Sequence, residues 1–209
     1  LSSMNIQLYH RESGILIGTD QVTGGLDAAA MNQHISRITS RFLPVGGVIY
    51  AFLESENRLN PLTRCLVQAS AYFNKQDAQR HRDAYQCDEA LLAQGLHSSL
   101  IFADLASLSV EVITDGYSYP IDIDFHKAIA YGRRAVELAP ASSQAHRSLA
   151  RALQAAGETE PSLDMIREAH ALNPYDLSIA ASYGNTLIAT GDFETAVAVL
   201  ERTIEASPV

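Results

Sequence analysis

The sequence predicts an all-α fold, a solenoid of stacked helical hairpins, with a short β-hairpin at its amino-terminal end. Three observations predict it. Prolines recur at a fixed interval of 34 residues, at Pro140, Pro174 and Pro208. The segments between turns carry apolar residues at the three- and four-residue spacing of amphipathic helices. Residues 1–22 instead alternate apolar and polar side chains, as in paired strands.

The first predicted element is the β-hairpin of residues 1–22. Ile6 and Leu8 alternate with polar residues, the tetrapeptide RESG supplies a turn, and Ile15 and Ile17 resume the alternation. A lone hairpin is barely stable in water. Both ends of the chain look cut, so we expect the sheet to be completed either by a second copy or by an upstream part of a longer protein.

Residues 23–57 are predicted to be connecting helices. A helical stripe of apolar residues comprises Leu26, Ala30, Met31, Ile35, Ile38 and Phe42. The segment VGGVIYAFLESEN, residues 45–57, is predicted to be a short helix that leads into the array.

Residues 58–209 are predicted to form about four helix pairs, at roughly 58–95, 97–140, 141–174 and 175–209. Gly157 and Gly191 lie where a first helix must end, because glycine tolerates the left-handed cap conformation. Asp124 is predicted to cap the helix that follows it, rather than to join Asp122 and His126 in a metal site. The segment TDGYSYPIDI, residues 114–123, is predicted to be a loop.

The two cysteines, Cys65 and Cys87, lie in helical stretches among apolar residues. Two cysteines are too few for a disulfide framework, so we interpret them as reduced core thiols, with a disulfide or redox role as the alternative.

The composition limits the classes of partner. Apolar residues make up 47% of the 209 residues and charged residues 19%, which suits a folded chain with a core. The formal net charge is −9, and the longest basic run is the Arg133–Arg134 pair. Because phosphate binding needs clustered Lys and Arg, we expect no direct nucleic-acid binding by this region. No stretch approaches about 18 uninterrupted apolar residues, so we expect no membrane segment in it.

The 34-residue period and its register are identified as those of the tetratricopeptide repeat (TPR). In residues 143–176, the residues at signature positions are Leu149, Ala150, Leu153, Gly157, Ser162, Ile166, Ala169 and Pro174. In residues 177–209, they are Tyr183, Gly184, Leu187, Gly191, Ala196, Leu200 and Pro208. Thr203, His146 and Ala180 depart from the family pattern. The resemblance implies a TPR-type helical-hairpin superhelix (α-α solenoid) that binds protein or peptide partners.

The family resemblance also implies a partner-binding groove lined by first helices. The corresponding residues here are Gln144, Arg147, Arg151, Gln154, Ser178, Asn185 and Ile188. Arg147 and Arg151 are four apart and share a helix face, so with Asn185 they could bind a peptide carboxylate or backbone. The alternative is a solvated polar face with ion pairs inside the helix.

The last helix carries Val197, Leu200 and Ile204 on the face where a further helix should pack. Leaving such side chains in water forfeits about 1.5–3 kcal/mol each. We therefore expect either more repeats in a parent protein or self-association of chain ends in a homodimer.

The front of the chain resembles a junction found in certain bacterial regulators. The segments IQLYHRESGILIGTDQV and LDAAAMNQHISRITSRFLP are similar to the end of a TolB-like α/β module that precedes TPRs. In that group the amino-terminal signalling domain is a CadC-type winged helix or a class III adenylate cyclase-like domain. The resemblance implies that the hairpin is the remnant of a TolB-like module. It also implies that the chain is the C-terminal partner-binding or sensing region of a bacterial transcriptional regulator.

Two other functions stay open, a structural adaptor or self-association module and an accessory region of a nucleotide cyclase or of another enzyme. The spacings H-x-x-x-H, H-E-x-x-H and C-x-x-C are absent, and no serine has a G-x-S-x-G setting. We therefore expect no enzyme activity, no catalytic residues, no metal site and no cofactor. Free thiols and the lack of a secretory signal favour the cytoplasm, whereas a membrane span upstream would favour the periplasm.

Overall fold

The computed structural model describes residues 3–23, 31, 34–35, 38–39, 41–42, 47–117, 122–174 and 176–206, with side chains as far as residue 203. The chain divides after Thr63 into two compact units, each described here by itself.

The described elements are two strands and nine helices. They are β1 (Ser3–Tyr9), β2 (Leu16–Thr23), α1 (Val48–Ser55), α2 (Pro61–Asn74), α3 (Ala78–Ala93), α4 (Ser99–Thr114), α5 (Phe125–Leu138), α6 (Ser143–Ala155), α7 (Thr159–Leu172), α8 (Leu177–Thr190) and α9 (Phe193–Ala206). These elements confirm the predicted all-α class with a short amino-terminal β-hairpin.

The first unit contains the predicted hairpin. Strands β1 and β2 pair antiparallel, with Ile6 opposite Asp20, and the N–H of His10 donates to the carbonyl of Ile15 across the turn at 2.8 Å. Within the described residues the sheet has two strands. Val22 on β2 and Phe42 on the connecting segment are buried, so the hairpin has a small apolar core on one face.

The predicted apolar stripe of the connecting helix is described only in part. Phe42 is buried, whereas Ile35 is 51% exposed. Leu26 and Ala30 lie outside the described residues. The short helix predicted over residues 45–57 is α1.

The second unit is a series of four helical hairpins, α2–α3, α4–α5, α6–α7 and α8–α9. Side-chain oxygens cap most of the helix starts, because the first-turn N–H groups have no partner within the helix. The capping residues are Asp77, Ser98, Asp124, Ser142 and Asp176. Gly157 and Gly191 have φ values of 81° and 83°, which confirms the predicted left-handed ends of α6 and α8.

Neighbouring hairpins share their apolar cores. One cluster joins Ala150 of α6 and Ile166 of α7 to Tyr183 and Leu187 of α8. Another joins Val110 of α4 to residues of α5 and α6. Helix α4 is buried on nearly every side from 101 to 112, as expected for a helix that packs against α3, α5 and α6. Each pair is therefore stabilised by the next one along the stack.

The prediction of reduced thiols was wrong, because Cys65 and Cys87 form a disulfide with a Cα–Cα distance of 5.4 Å. The physical reason is the helical register. Cys65 shares the buried stripe of α2 with Ala69 and Tyr72, and Cys87 comes one turn after the buried Ala84 of α3. The two sulfurs therefore meet inside the first hairpin.

In the described part of the chain, no helix combines the length and the apolar character that crossing a bilayer requires.

Candidate partner-binding groove

A polar cleft lies between α6 and α8, with a volume of about 130 Å³. Its lining residues are Arg147, Ala150, Arg151, Gln154, Ile166, Ser182, Asn185 and Thr186. Four of these, Arg147, Arg151, Gln154 and Asn185, belong to the predicted groove set. The repeat register therefore brings side chains from two successive first helices to one place.

The other three predicted groove residues lie outside this lining. Gln144 accepts a hydrogen bond from Nε of Arg147 at 3.1 Å, one turn earlier on α6. Ser178 is exposed at the start of α8, and its backbone N–H donates to the Asp176 cap. Ile188 is 46% exposed near the end of α8.

Arg151 is bound into the protein by an ion pair with Glu111 of α4. The Glu111 side chain is 5% exposed, whereas that of Arg151 is 35% exposed. The guanidinium also lies 5.9 Å from the centre of the Phe73 ring, within cation–π range. Burial lowers the pKa of Arg151, although the neighbouring Tyr72 acts in the opposite direction. The ion pair joins α4 to α6. It therefore differs from the alternative in the sequence analysis, which was an ion pair within a single helix.

Arg147 has a different environment, in which opposite charges lie around it. Burial lowers the pKa of Arg147, whereas the carboxylates of Asp176 and Asp104 act to raise it. Burial in turn raises the pKa of Asp104 to about 7, with Arg147 acting to lower it. The charges of Asp104 on α4 and of the Asp176 cap of α8 therefore both favour the charged form of Arg147. The other polar groups that line the cleft, apart from Arg151, are neutral amides and hydroxyls.

Sequence reasoning missed Glu111, Phe73 and Thr186. A signal for Glu111 existed, because it lies two helical turns after Asp104 and so shares its face. The surrounding apolar run SLSVEVI made that face look like ordinary core. Nothing in the repeat pattern indicates that Phe73 of α2 reaches Arg151.

The end of the array is described as far as the side chain of residue 203. Val197 on α9 is 53% exposed. Leu200 is partly buried, with its terminal atoms about 2.7 Å from where a Cβ of Gly184 would stand. The Ile204 side chain lies outside the described residues. Self-association through this face stays a prediction.

The fold is shared with solved structures. TTC0263, a thermophilic TPR protein of Thermus thermophilus, aligns with a TM-score of 0.60 at 15% identity, over 87% of this chain and 92% of that one. A MamA structure from Desulfovibrio magneticus RS-1, covering residues 41 to the end, aligns with a TM-score of 0.51 at 17% identity, over 86% and 95%.

No protein-family model matches the chain, and the search of curated proteins gives no match. At the identities of the solved structures the similarity shows the fold alone. It confirms that the helical hairpins are of the tetratricopeptide type.

Proposed function

We propose that the chain is a non-enzymatic interaction module that holds a peptide or a segment of a partner protein in the cleft between α6 and α8. The observation that carries the proposal is the convergence of Arg147, Gln154, Ser182 and Asn185 on that cleft. An extended peptide backbone offers N–H and C=O groups that the two amides and the hydroxyl can pair. A guanidinium adds a charge-assisted contact for a carboxylate.

Within the cleft we assign recognition to Arg147 and not to Arg151. Arg151 is engaged in an ion pair with the buried Glu111. Removing one partner of such a pair leaves an uncompensated buried charge, which is strongly destabilising. Arg147 instead donates to the neutral amide of Gln144, and Asp104 and Asp176 act on its pKa through their charge alone. We therefore assign Arg151 a structural role in the groove. We assign recognition of the partner to Arg147 and Asn185.

The proposed biological setting is the C-terminal partner-binding or sensing region of a bacterial transcriptional regulator. Its support is the resemblance of residues 6–44 and 60–209 to the TolB-like and TPR parts of such proteins. A structural adaptor, a self-association module and the accessory region of a nucleotide cyclase are the other candidates.

The disulfide favours one of the two compartments that the sequence left open. Stable disulfides are found in oxidising compartments and are rare in the cytosol. The free thiols that favoured the cytoplasm are replaced by the Cys65–Cys87 bond. We therefore propose that this region functions in an oxidising compartment. This corresponds to the periplasmic location, the second of the two alternatives.

The binding proposal is tested by selecting peptides from a display library against the 209-residue chain and measuring the selected peptides by calorimetry. We expect Arg147→Ala to weaken binding about tenfold or more, since hydrogen bonds to charged groups contribute about 1.5–3 kcal/mol. Asn185→Ala should weaken it about two- to tenfold, since neutral hydrogen bonds contribute about 0.5–1.5 kcal/mol. Glu168→Ala, exposed on α7, is the matched control and should bind as the unaltered chain does.

Far-ultraviolet circular dichroism of each variant separates loss of binding from loss of fold. Failure to enrich any peptide, or peptides whose binding ignores both groove substitutions, would contradict the binding proposal. The regulatory setting is tested apart from it, by measuring output of the full-length protein. Arg147→Ala should change that output, and an unchanged output would favour the adaptor.

A further inference from the structure

The outer edge of β1 is a second feature that points to a partner. Strand β1 uses one edge to pair with β2, and among the described residues no strand occupies its other edge. The seven residues Ser3–Tyr9 contain neither a charged residue nor a proline. Natural sheets protect free edges with charges, prolines or covering segments. The β1 strand lacks the first two of these protections, which makes its edge a candidate for strand pairing.

The β2 strand is protected in the usual way. It carries Asp20, and the Arg41 guanidinium lies 3.9 Å from that carboxylate. Arg41 also donates to the Thr19 carbonyl at 3.2 Å, so a backbone acceptor of β2 is already occupied by a side chain. Growth of the sheet is therefore favoured at β1 and opposed at β2, which suits a closed pair of copies and not a fibre.

The residues of β1 complement a second β1 that runs antiparallel about a two-fold axis at Ile6. In that register Ile6 faces Ile6, Met4 faces Leu8 and Asn5 faces Gln7, so apolar side chains meet apolar ones and amides meet amides. No charges are brought together. A slip of one residue would set Met4 against Gln7 and turn the apolar face of one copy to the opposite side.

Exposure along β1 agrees with that register. Ile6 and Leu8 are half-buried and line an apolar cavity of about 210 Å³ with Phe42 and Ile49. Met4 points to the same face, because side chains alternate along a strand, yet it is 45% exposed. Pairing with a second copy would place Leu8 of that copy against Met4 and extend the apolar face over both strands.

We propose that two copies of the chain associate through β1, antiparallel about Ile6, to form a four-stranded sheet in the order β2–β1–β1–β2. Three or more strands with an apolar face are far more stable than an isolated hairpin. The proposal does not depend on the groove, because its residues all belong to the first unit. It is the alternative to completion of the sheet by an upstream TolB-like strand, because both would occupy the same edge of β1.

The test exploits Asn5 and Gln7, which are both exposed and face each other across the proposed axis. The pair Asn5→Lys with Gln7→Lys sets like charges opposite each other twice in the dimer. The matched pair Asn5→Lys with Gln7→Glu sets opposite charges there instead. Sedimentation equilibrium of the 209-residue chain should give a dimer for the unaltered chain, a monomer for the Lys–Lys variant and a dimer for the Lys–Glu variant.

A further variant, Val197→Glu on α9, tests the other candidate contact and should leave the dimer intact. Circular dichroism should show the same helix content for all four chains. An unaltered chain that is monomeric, a Lys–Lys variant that still dimerises, or dissociation by Val197→Glu would overturn the proposal. A monomeric Lys–Glu variant would overturn the register and with it the proposed sheet.

Discussion

Asp88 of α3 is a carboxyl group without exposed surface, and neither of its oxygens accepts a hydrogen bond from the described residues. Burial raises the pKa of Asp88 to about 8, and the nearby carboxyl of Asp104 acts in the same direction. Both causes disfavour the ionised form. The folded protein therefore prefers a protonated Asp88 at neutral pH.

This preference makes the stability of the fold depend on pH. In the unfolded chain an aspartate has a pKa of about 3.9. The stability gained with a protonated Asp88 is thus fully present below about pH 4 and is lost as the pH rises through the folded-state value near 8. We expect urea unfolding to show a less stable protein at pH 8 than at pH 5, by up to about 1.4 kcal/mol per pH unit.

Asp88→Asn should remove a large part of this dependence, because an amide does not ionise. The remainder should come from Asp104, whose pKa burial also raises, to about 7. Asp83→Asn is the matched control, since Asp83 lies on the same helix but is exposed, and it should keep the pH dependence of the unaltered chain. Equal stability of the unaltered chain at pH 5 and pH 8 would show that Asp88 is not held in its protonated form.

The α2–α3 hairpin is the element whose stability depends on a covalent bond. The disulfide spans a sequence separation of 22 residues. Closing a loop of that length restricts the unfolded chain, and the chain-entropy relation gives about 3 kcal/mol of stabilisation. We expect a reductant to lower the free energy of unfolding by about that amount, measured by urea titration with and without it.

The double variant Cys65→Ser with Cys87→Ser provides the control for reduction. It should be as unstable as the reduced protein and should not respond to the reductant. Identical unfolding curves for the oxidised and reduced chain would contradict the assigned role of the bond.

The elements show which features a sequence can predict. The Asp124 cap and the glycine ends of α6 and α8 were predicted correctly, because each depends on residues a few positions apart. The Cys65–Cys87 bond and the Glu111–Arg151 ion pair were missed. Each depends on which faces of two separate helices meet, and the repeat pattern fixes that only where the repeats are regular.

On the scale of the whole molecule, the regular period of the last repeats allowed the hairpin boundaries to be predicted. It also placed four predicted side chains around one cleft. The partner of such a cleft cannot be predicted from the period, because the period reports how the helices pack and does not constrain the surface residues. Partner identity therefore stays a prediction.

The net charge of −9 predicts the behaviour of the whole chain toward polyanions. Duplex DNA repels an acidic surface unless basic residues cluster on it. We expect no change in the fluorescence anisotropy of labelled duplex DNA when the chain is added at low salt, with a basic DNA-binding domain as the positive control. Binding that weakens steeply as salt is raised would contradict this expectation.

The ion pair between Glu111 and Arg151 has a consequence for anyone who redesigns the groove. A library that randomises every position around the cleft will contain many members in which one of these two residues loses its counterion. Those members are expected to fail in expression before any affinity can be selected. New specificities are better grafted at 147, 154 and 185, with 111 and 151 kept as a fixed frame.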